Sequence, residues 1–334
     1  MAIAASIVFT ARKKILVFSN AYHGSTLSFP SGSAITTNLP HEFVIAPYND
    51  IAGTKAILET LPKDSLAAIL VEPIQGSGGC IVGSREFLHY LNTTAHSLGA
   101  LFIVDEVMTS RLSYHGLSAA LNLKPDLATL GKWVGGGMSF GAFGGRKDKG
   151  VMALFDPRTG VLAHSGTFNN NIITMAAGNA GLDLFTEDKL VALNELGESL
   201  KKGVEDVLHR YQIPAPPPTP PKVTTPQDTI FEDSSSNNPP IHSLSLDDKR
   251  LDSRASEEPG MYITGSGSML AVHFCGPSHA QLQHLFWHHM VEEGIYMAQR
   301  GFIALSLELK EEHVERFVGA TEMFVGKYRV ALGG

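Results

Sequence analysis

Residues 101–140 read LFIVDEVMTSRLSYHGLSAALNLKPDLATLGKWVGGGMSF, and the fold is decided by the two short apolar runs within them. Leu101 to Val104 is unbroken in its apolar character, as in a parallel strand covered on both faces, and it stops at Asp105 and Glu106. Leu127 to Leu130 repeats the pattern and stops at Gly131 and Lys132, followed by Gly135, Gly136 and Gly137. One acid and one lysine are thus expected at the carboxyl ends of strands, where open α/β sheets bind ligands.

Working outward, strands and helices alternate. Ile15 to Ser19 reads as a buried strand, Asp50 to Leu61 as a helix, and Leu66 to Val71 as a strand stopped by Glu72 and Pro73. Ser84 is placed to cap a helix carrying Phe87, Leu88, Leu91, Ala95 and Leu98, which Gly99 ends. The alternation predicts an α/β fold with a mostly parallel sheet, helices on both faces and right-handed crossovers. Phe140 to Gly145 would return the chain beneath the lysine loop.

A carboxylate and a lysine at neighbouring strand ends suit pyridoxal phosphate, whose aldehyde needs an amine and whose ring nitrogen needs an anion. In that chemistry Asp105 keeps the pyridine protonated, while Lys132 forms the Schiff base and later moves a proton. On spacing alone the same two residues also read as surface charges. The glycines at 135–137 lack the spacing and the Gly-Lys-Ser/Thr ending of a nucleotide phosphate loop.

Composition narrows the class. The chain has 334 residues, 43% of them hydrophobic and 18% charged, which is enough for a large core in two lobes. A net charge of −7 offers no basic field for nucleic acid, and no apolar run approaches a membrane-spanning length. The two cysteines, Cys80 and Cys275, make no disulfide framework and are expected to be packing residues. The basic residues of MAIAASIVFTARKK follow its apolar part, the reverse of a secretory signal, so a cytoplasmic product is expected.

Three segments, DEVMTSR at 105–111, LGKWVGGGMSFGAFGGR at 130–146 and HSGTFNNNIITMAAGNAGL at 164–182, resemble class III PLP-dependent aminotransferases. Within that class they look most like β-amino-acid (β-phenylalanine type) aminotransferases and glutamate-1-semialdehyde aminomutases. The resemblance implies a fold-type-I transferase, a pyridoxal 5'-phosphate cofactor and a ping-pong exchange of an amino group between an amino acid and a keto acid. It implies that Tyr22 stacks on the cofactor ring beside His23 and that Thr167 reaches the cofactor phosphate of a neighbouring subunit in a homodimer; Glu72, at the end of its strand, reads either as a residue that contacts or orders the cofactor or as a structural carboxylate. Arg300 matches the substrate-carboxylate arginine of the β-amino-acid enzymes; the aminomutases usually lack arginine there. A guanidinium suits that task because its planar fork clamps a carboxylate. Without the resemblance, Tyr22 reads as an ordinary turn residue, Thr167 as a helix start and Arg300 as a surface charge.

The family's Ser-Gly-Thr-Glu-Ala phosphate turn occurs nowhere in this sequence, so the cofactor domain is expected to lack an N-terminal segment. The expected organisation is a cofactor domain over 1–187, a connecting helix over 188–211, a disordered Pro/Ser-rich insert over 212–260, and a small C-terminal domain over 261–334. In the last of these, Tyr262 to Phe274 is predicted as a strand with turns at Gly265 and Gly267. Ser278 to Glu293 follows as a helix burying Leu282, Leu285, Phe286, His289 and Met290, then a strand from Ile303 to Leu307 and a helix from Glu311 to Tyr328. His284 and His288 have metal-ligand spacing on that helix, yet no acidic HEXXH pattern accompanies them, and no metal is expected. Two other readings stay open: an aminomutase, and a catalytically impaired paralogue that serves as a dimerisation partner.

Overall fold

The computed structural model describes residues 1–146, 150–214 and 258–334. Helix α1 (Ala2–Thr10) sets Ala2, Ile3 and Ala5 into the first core and leads to strand β1 (Lys14–Phe18). There follow β2 (Glu42–Ala46), α2 (Ile51–Glu59), β3 (Leu66–Val71), the short pair β4 (Ile74–Gln75) and β5 (Ile81–Val82), α3 (Arg85–Ser97) and β6 (Leu101–Asp105). Asp50 caps α2 by accepting from Gly53 N, and Ser84 caps α3 by accepting from Phe87 N, which satisfies helix-end N–H groups that have no partner within the helix.

The four-residue helix α4 (Leu117–Ala120) precedes β7 (Leu127–Gly131), and a 3-10 turn, Lys132–Gly135, leads to β8 (Gly141–Gly145). These strands form one six-stranded sheet in the order β2-β1-β3-β6-β7-β8. All neighbours are parallel except β8, which runs antiparallel to β7 at the edge. Every residue of β3 and of β6 is buried, as their unbroken apolar runs require.

Helices α5 (Ile172–Leu184) and α6 (Glu187–Arg210) follow. On α6, Leu190, Leu193, Leu200, Val204, Val207 and Leu208 form a buried stripe at helical spacing. A second core gathers that stripe from Leu193 onward with β9 (Gly260–Ser266), β10 (Met269–Cys275), α7 (His279–Glu292), β11 (Phe302–Ala304) and α8 (Glu311–Tyr328). Its sheet has the order β11-β10-β9, antiparallel throughout. A small third cluster of Ile74, Cys80, Met269 and Ala271 joins the β4–β5 pair to β10.

Several expectations need correction. The single strand read over Tyr262 to Phe274 is a hairpin, because Gly267 adopts φ +53° and turns the chain so that Ser266 pairs with Met269. Leu285 is 42% exposed: the stripe Leu282, Phe286 and Met290 advances by i+4 steps and leaves position 285 beyond its rim. The strand read over Ile303 to Leu307 spans Phe302–Ala304. At the ends of the predicted insert, Ile213 is buried, Met261 N donates to Pro214 O at 3.2 Å, and Gly260 already belongs to β9. Residues 215–257 of that segment lie outside the described residues.

Candidate active site

Asp105 is the last residue of β6 and is buried. Its Oδ1 accepts from Val107 N at 3.0 Å and from the Thr129 hydroxyl at 3.0 Å, while Oδ2 lies 2.7 Å from His23 Nδ1. Thr129 reaches it because β6 and β7 pair Asp105 with Thr129 in register. Burial pushes the Asp105 carboxyl up, but the bond from His23, its charge and the other two donors outweigh that and hold it below its ordinary value. His23 behaves in mirror image. Burial lowers it, and the bond to Asp105 with the charges of Asp105 and Glu72 carries it above its ordinary value.

Glu72 completes this polar row. Its Oε2 accepts from Tyr22 N at 3.0 Å and its Oε1 from Gly76 N at 3.1 Å, so one side chain ties the Tyr22-His23 turn to the glycine-rich loop after β3. Burial raises the Glu72 carboxyl to about 7; the charge of His23 and the two N–H groups oppose the rise, and the charge of Asp105 adds to it.

Lys132 follows β7 directly, on the strand next to Asp105, and is exposed. It adopts φ +53°, a left-handed conformation uncommon for a side-chain-bearing residue and frequent at functional sites. Tyr22 is 39% exposed. It lines a cavity with Ser28, Gly76, His273, Gln283, Arg300 and Phe302, and neither Lys132 nor Asp105 is among the lining residues. The guanidinium of Arg300 lies 5.4 Å from the centre of the Phe302 ring. Thr167 is exposed on the turn before α5.

The predicted residues are therefore brought together in two groups. Asp105, His23 and Glu72 form one polar row with Lys132 on the adjoining strand end, and Tyr22 and Arg300 share a cavity. The Tyr22-His23 dipeptide joins them, its backbone on Glu72 and its imidazole on Asp105. Sequence reasoning missed Thr129, whose signal was a hydroxyl inside the strand paired with Asp105. It also missed His273 and Gln283, polar residues at buried positions of β10 and α7.

The family profile described as "Aminotransferase class-III" matches residues 1–215. The chain belongs to the class-III aminotransferases. Its cofactor is pyridoxal 5'-phosphate, and the residues present fit that group. A carboxylate has roughly four acceptor positions and Asp105 uses three, which leaves it able to accept from a ring nitrogen. An amine stands at the next strand end, and the exposed Tyr22 offers an aromatic face. A β-phenylalanine transaminase of Variovorax paradoxus is 41% identical over 99% of this chain and 68% of its own length. The crystal structure of the β-phenylalanine aminotransferase from that organism superposes with a TM-score of 0.81 at 40% identity, over 99% of this chain and 68% of the other. An ω-transaminase from Sphaerobacter thermophilus gives a TM-score of 0.78 at 27% identity, over 98% and 72%. A glutamate-1-semialdehyde 2,1-aminomutase of Clostridium kluyveri is 30% identical over 95% of this chain and 70% of its own length. The chain thus spans about two thirds of the length of these relatives.

Proposed function

We propose that this chain transfers the amino group of a β-amino acid with an apolar or aromatic substituent to a keto acid. The observation that carries the reading is the Asp105 carboxylate, buried and fixed by three donors at the end of β6, beside the strand end that carries Lys132. When bound, pyridoxal phosphate supplies an aldehyde that takes up amino groups and a ring that takes up the electrons of a deprotonated carbon.

The chain's own residues do the rest. Asp105 would hold the protonated ring nitrogen with its remaining acceptor position; His23 and Thr129 keep the carboxylate from turning away. Tyr22 would offer the ring an aromatic face, and Glu72 fixes the backbone on which Tyr22 sits. The Lys132 amine would hold the cofactor's aldehyde and, as a base, would carry the proton from and to the substrate carbon that bears nitrogen. Arg300 clamps the substrate carboxylate, a role supported by its place in the cavity with Tyr22 and by the identity to a β-phenylalanine transaminase.

Two separate apolar cores support a cofactor lobe over 1–187 and a small lobe over 261–334, joined by the helix over 188–211. A homodimer belongs to the same reading. Beside Thr167, Phe168 is 82% and Ile172 80% exposed, an apolar surface that a second copy would cover. Light scattering is expected to give twice the chain mass, and a monomer at micromolar concentration would remove Thr167 from the site. The activity is checked with 3-amino-3-phenylpropanoate and a keto acid. Lys132→Ala should abolish turnover and borohydride-stable attachment of the cofactor. A label found on another lysine by peptide mass spectrometry would displace Lys132 from the role.

A further inference from the structure

Arg111 stands on the 3-10 turn Thr109–Arg111, six residues beyond Asp105, and nothing in the proposed reaction uses it. Its Nε donates to the Ser268 hydroxyl at 3.1 Å and its Nη2 donates to the carbonyl of Leu305. Ser268 belongs to the turn between β9 and β10, and Leu305 follows β11; the two are already joined, since Leu305 N donates to Ser268 O at 3.0 Å. Among the described residues Arg111 forms no ion pair, and burial pulls its guanidinium down to about 10. A largely buried cation that bonds a hydroxyl and a carbonyl instead of a carboxylate contributes geometry more than charge pairing. Its planar fork fixes two acceptors at once, and an ammonium cannot do the same.

What it fixes is the strand next to Arg300. Strand β11 has three residues, pairs with β10 at three positions, and begins at Phe302, two residues after Arg300. Phe302, like Met108, Leu112 and Leu117, packs against the cluster that joins the β4–β5 pair to β10, and the Arg300 guanidinium rests over its ring. The segment after Asp105 therefore reaches β11 at both ends: Met108 packs against the same cluster as Phe302 at the start, and Arg111 grips the Leu305 carbonyl at the finish. We propose that Arg111 is a positioning residue for substrate binding, one that sets the Arg300 guanidinium at a fixed separation from Asp105. The inference rests on the reading of Arg300 as the carboxylate clamp.

The test uses the holoenzyme and 3-phenylpropanoate, a β-aryl carboxylate that has no amine and cannot react. By titration calorimetry, Arg111→Lys is expected to weaken its binding about tenfold. The KM for 3-amino-3-phenylpropanoate should rise by a similar factor, with kcat changed less than about twofold. In a single half-reaction with 1-phenylethylamine, which lacks a carboxylate, the variant should match the parent protein. Adding Arg111→Lys to Arg300→Ala should cost nothing further. If Arg300→Ala weakens 3-phenylpropanoate and Arg111→Lys does not, or if Arg111→Lys impairs the amine as much as the amino acid, the positioning role is overturned while the clamp stands. If Arg300→Ala leaves binding unchanged, the clamp and the positioning role fail together. Should Arg111→Lys not fold, Ser268→Ala removes one of the two acceptors and is expected to show the same split at about threefold; its absence overturns the proposal equally.

Discussion

Glu72 gathers N–H groups from two loops onto one buried carboxylate, and its raised pKa makes that arrangement dependent on pH. In the unfolded chain the group ionises near its ordinary value of 4.5, and in the native protein near 7. Between those values the native state holds a proton that the unfolded state has lost, so stability falls as pH rises, by roughly 3 kcal/mol over the window at about 1.4 kcal/mol per unit. His23, whose pKa is also raised, adds a fall of the same sign as pH rises above about 6.5. Asp105 has the opposite sign, because its lowered pKa gives stability at neutral pH that is lost only as pH falls through the native value. Glu72→Gln is expected to cost about 1 to 3 kcal/mol at pH 5, since one amide oxygen cannot serve both N–H groups, and to flatten the decline between pH 4.5 and 7. Urea titrations at several pH values check this; an unchanged slope would mean that Glu72 is not the group titrating. Asp105 and Lys132 were legible as residues because each terminates an apolar run. The bonds of Glu72 and Thr129 were not, since they depend on strand register and on loops distant in sequence.

The lysine loop and helix α5 meet by mutual removal of side chains. A Cβ on Gly136, which has φ +59°, would lie 2.0 Å from Ala177 O, and a Cβ on Gly178 would lie 2.5 Å from Val134 O. Backbone thus packs on backbone directly behind Lys132, and the helix braces the turn that presents the amine. Gly178→Ala, at an ordinary φ, is expected to separate the two elements and cost about 1 to 3 kcal/mol. It should also loosen cofactor retention, because the displaced turn is the one carrying Lys132. Thermal melts with and without cofactor check both effects, and a variant as stable as the parent would show that the contact yields freely. The sequence showed a helix start near Thr167 and a glycine run at 135–137, but only the docked helix explains why the run consists of glycines. The boundaries of β3, β6 and β7 were legible because each is an apolar run closed by a polar residue or by glycine. The hairpin β9–β10 was not, since both strands are buried almost throughout and only the two residues Gly267 and Ser268 separate them.

At the scale of the whole molecule, the largely parallel sheet followed from strand and helix alternation. The separate second core followed from the periodicity of α6 and α8 together with an apolar segment after residue 260. The meeting of the two cores was less legible, because the contacts that join them link residues far apart: Thr264 donates to Gly79 O, Asn194 Nδ2 to Leu112 O, and Arg111 to Ser268. The connection over 215–257 has ends that the fold already holds together, since Met261 N donates to Pro214 O at 3.2 Å and Ile213 is buried in the second core. The chain therefore does not need the length of that connection to pass from α6 to β9 within the second core. Replacing residues 215–257 with a linker of about four residues should leave the fold and the cofactor site unchanged. Shortening a loop about tenfold lowers its closure entropy by (3/2)RT ln 10, so stability is expected to rise by up to about 2 kcal/mol. Denaturant unfolding of the shortened and parent proteins, with cofactor content measured beside it, decides the matter. A shortened chain that loses stability or cofactor would assign residues 215–257 a structural part in the molecule, and their expected role as a dispensable insert would be wrong.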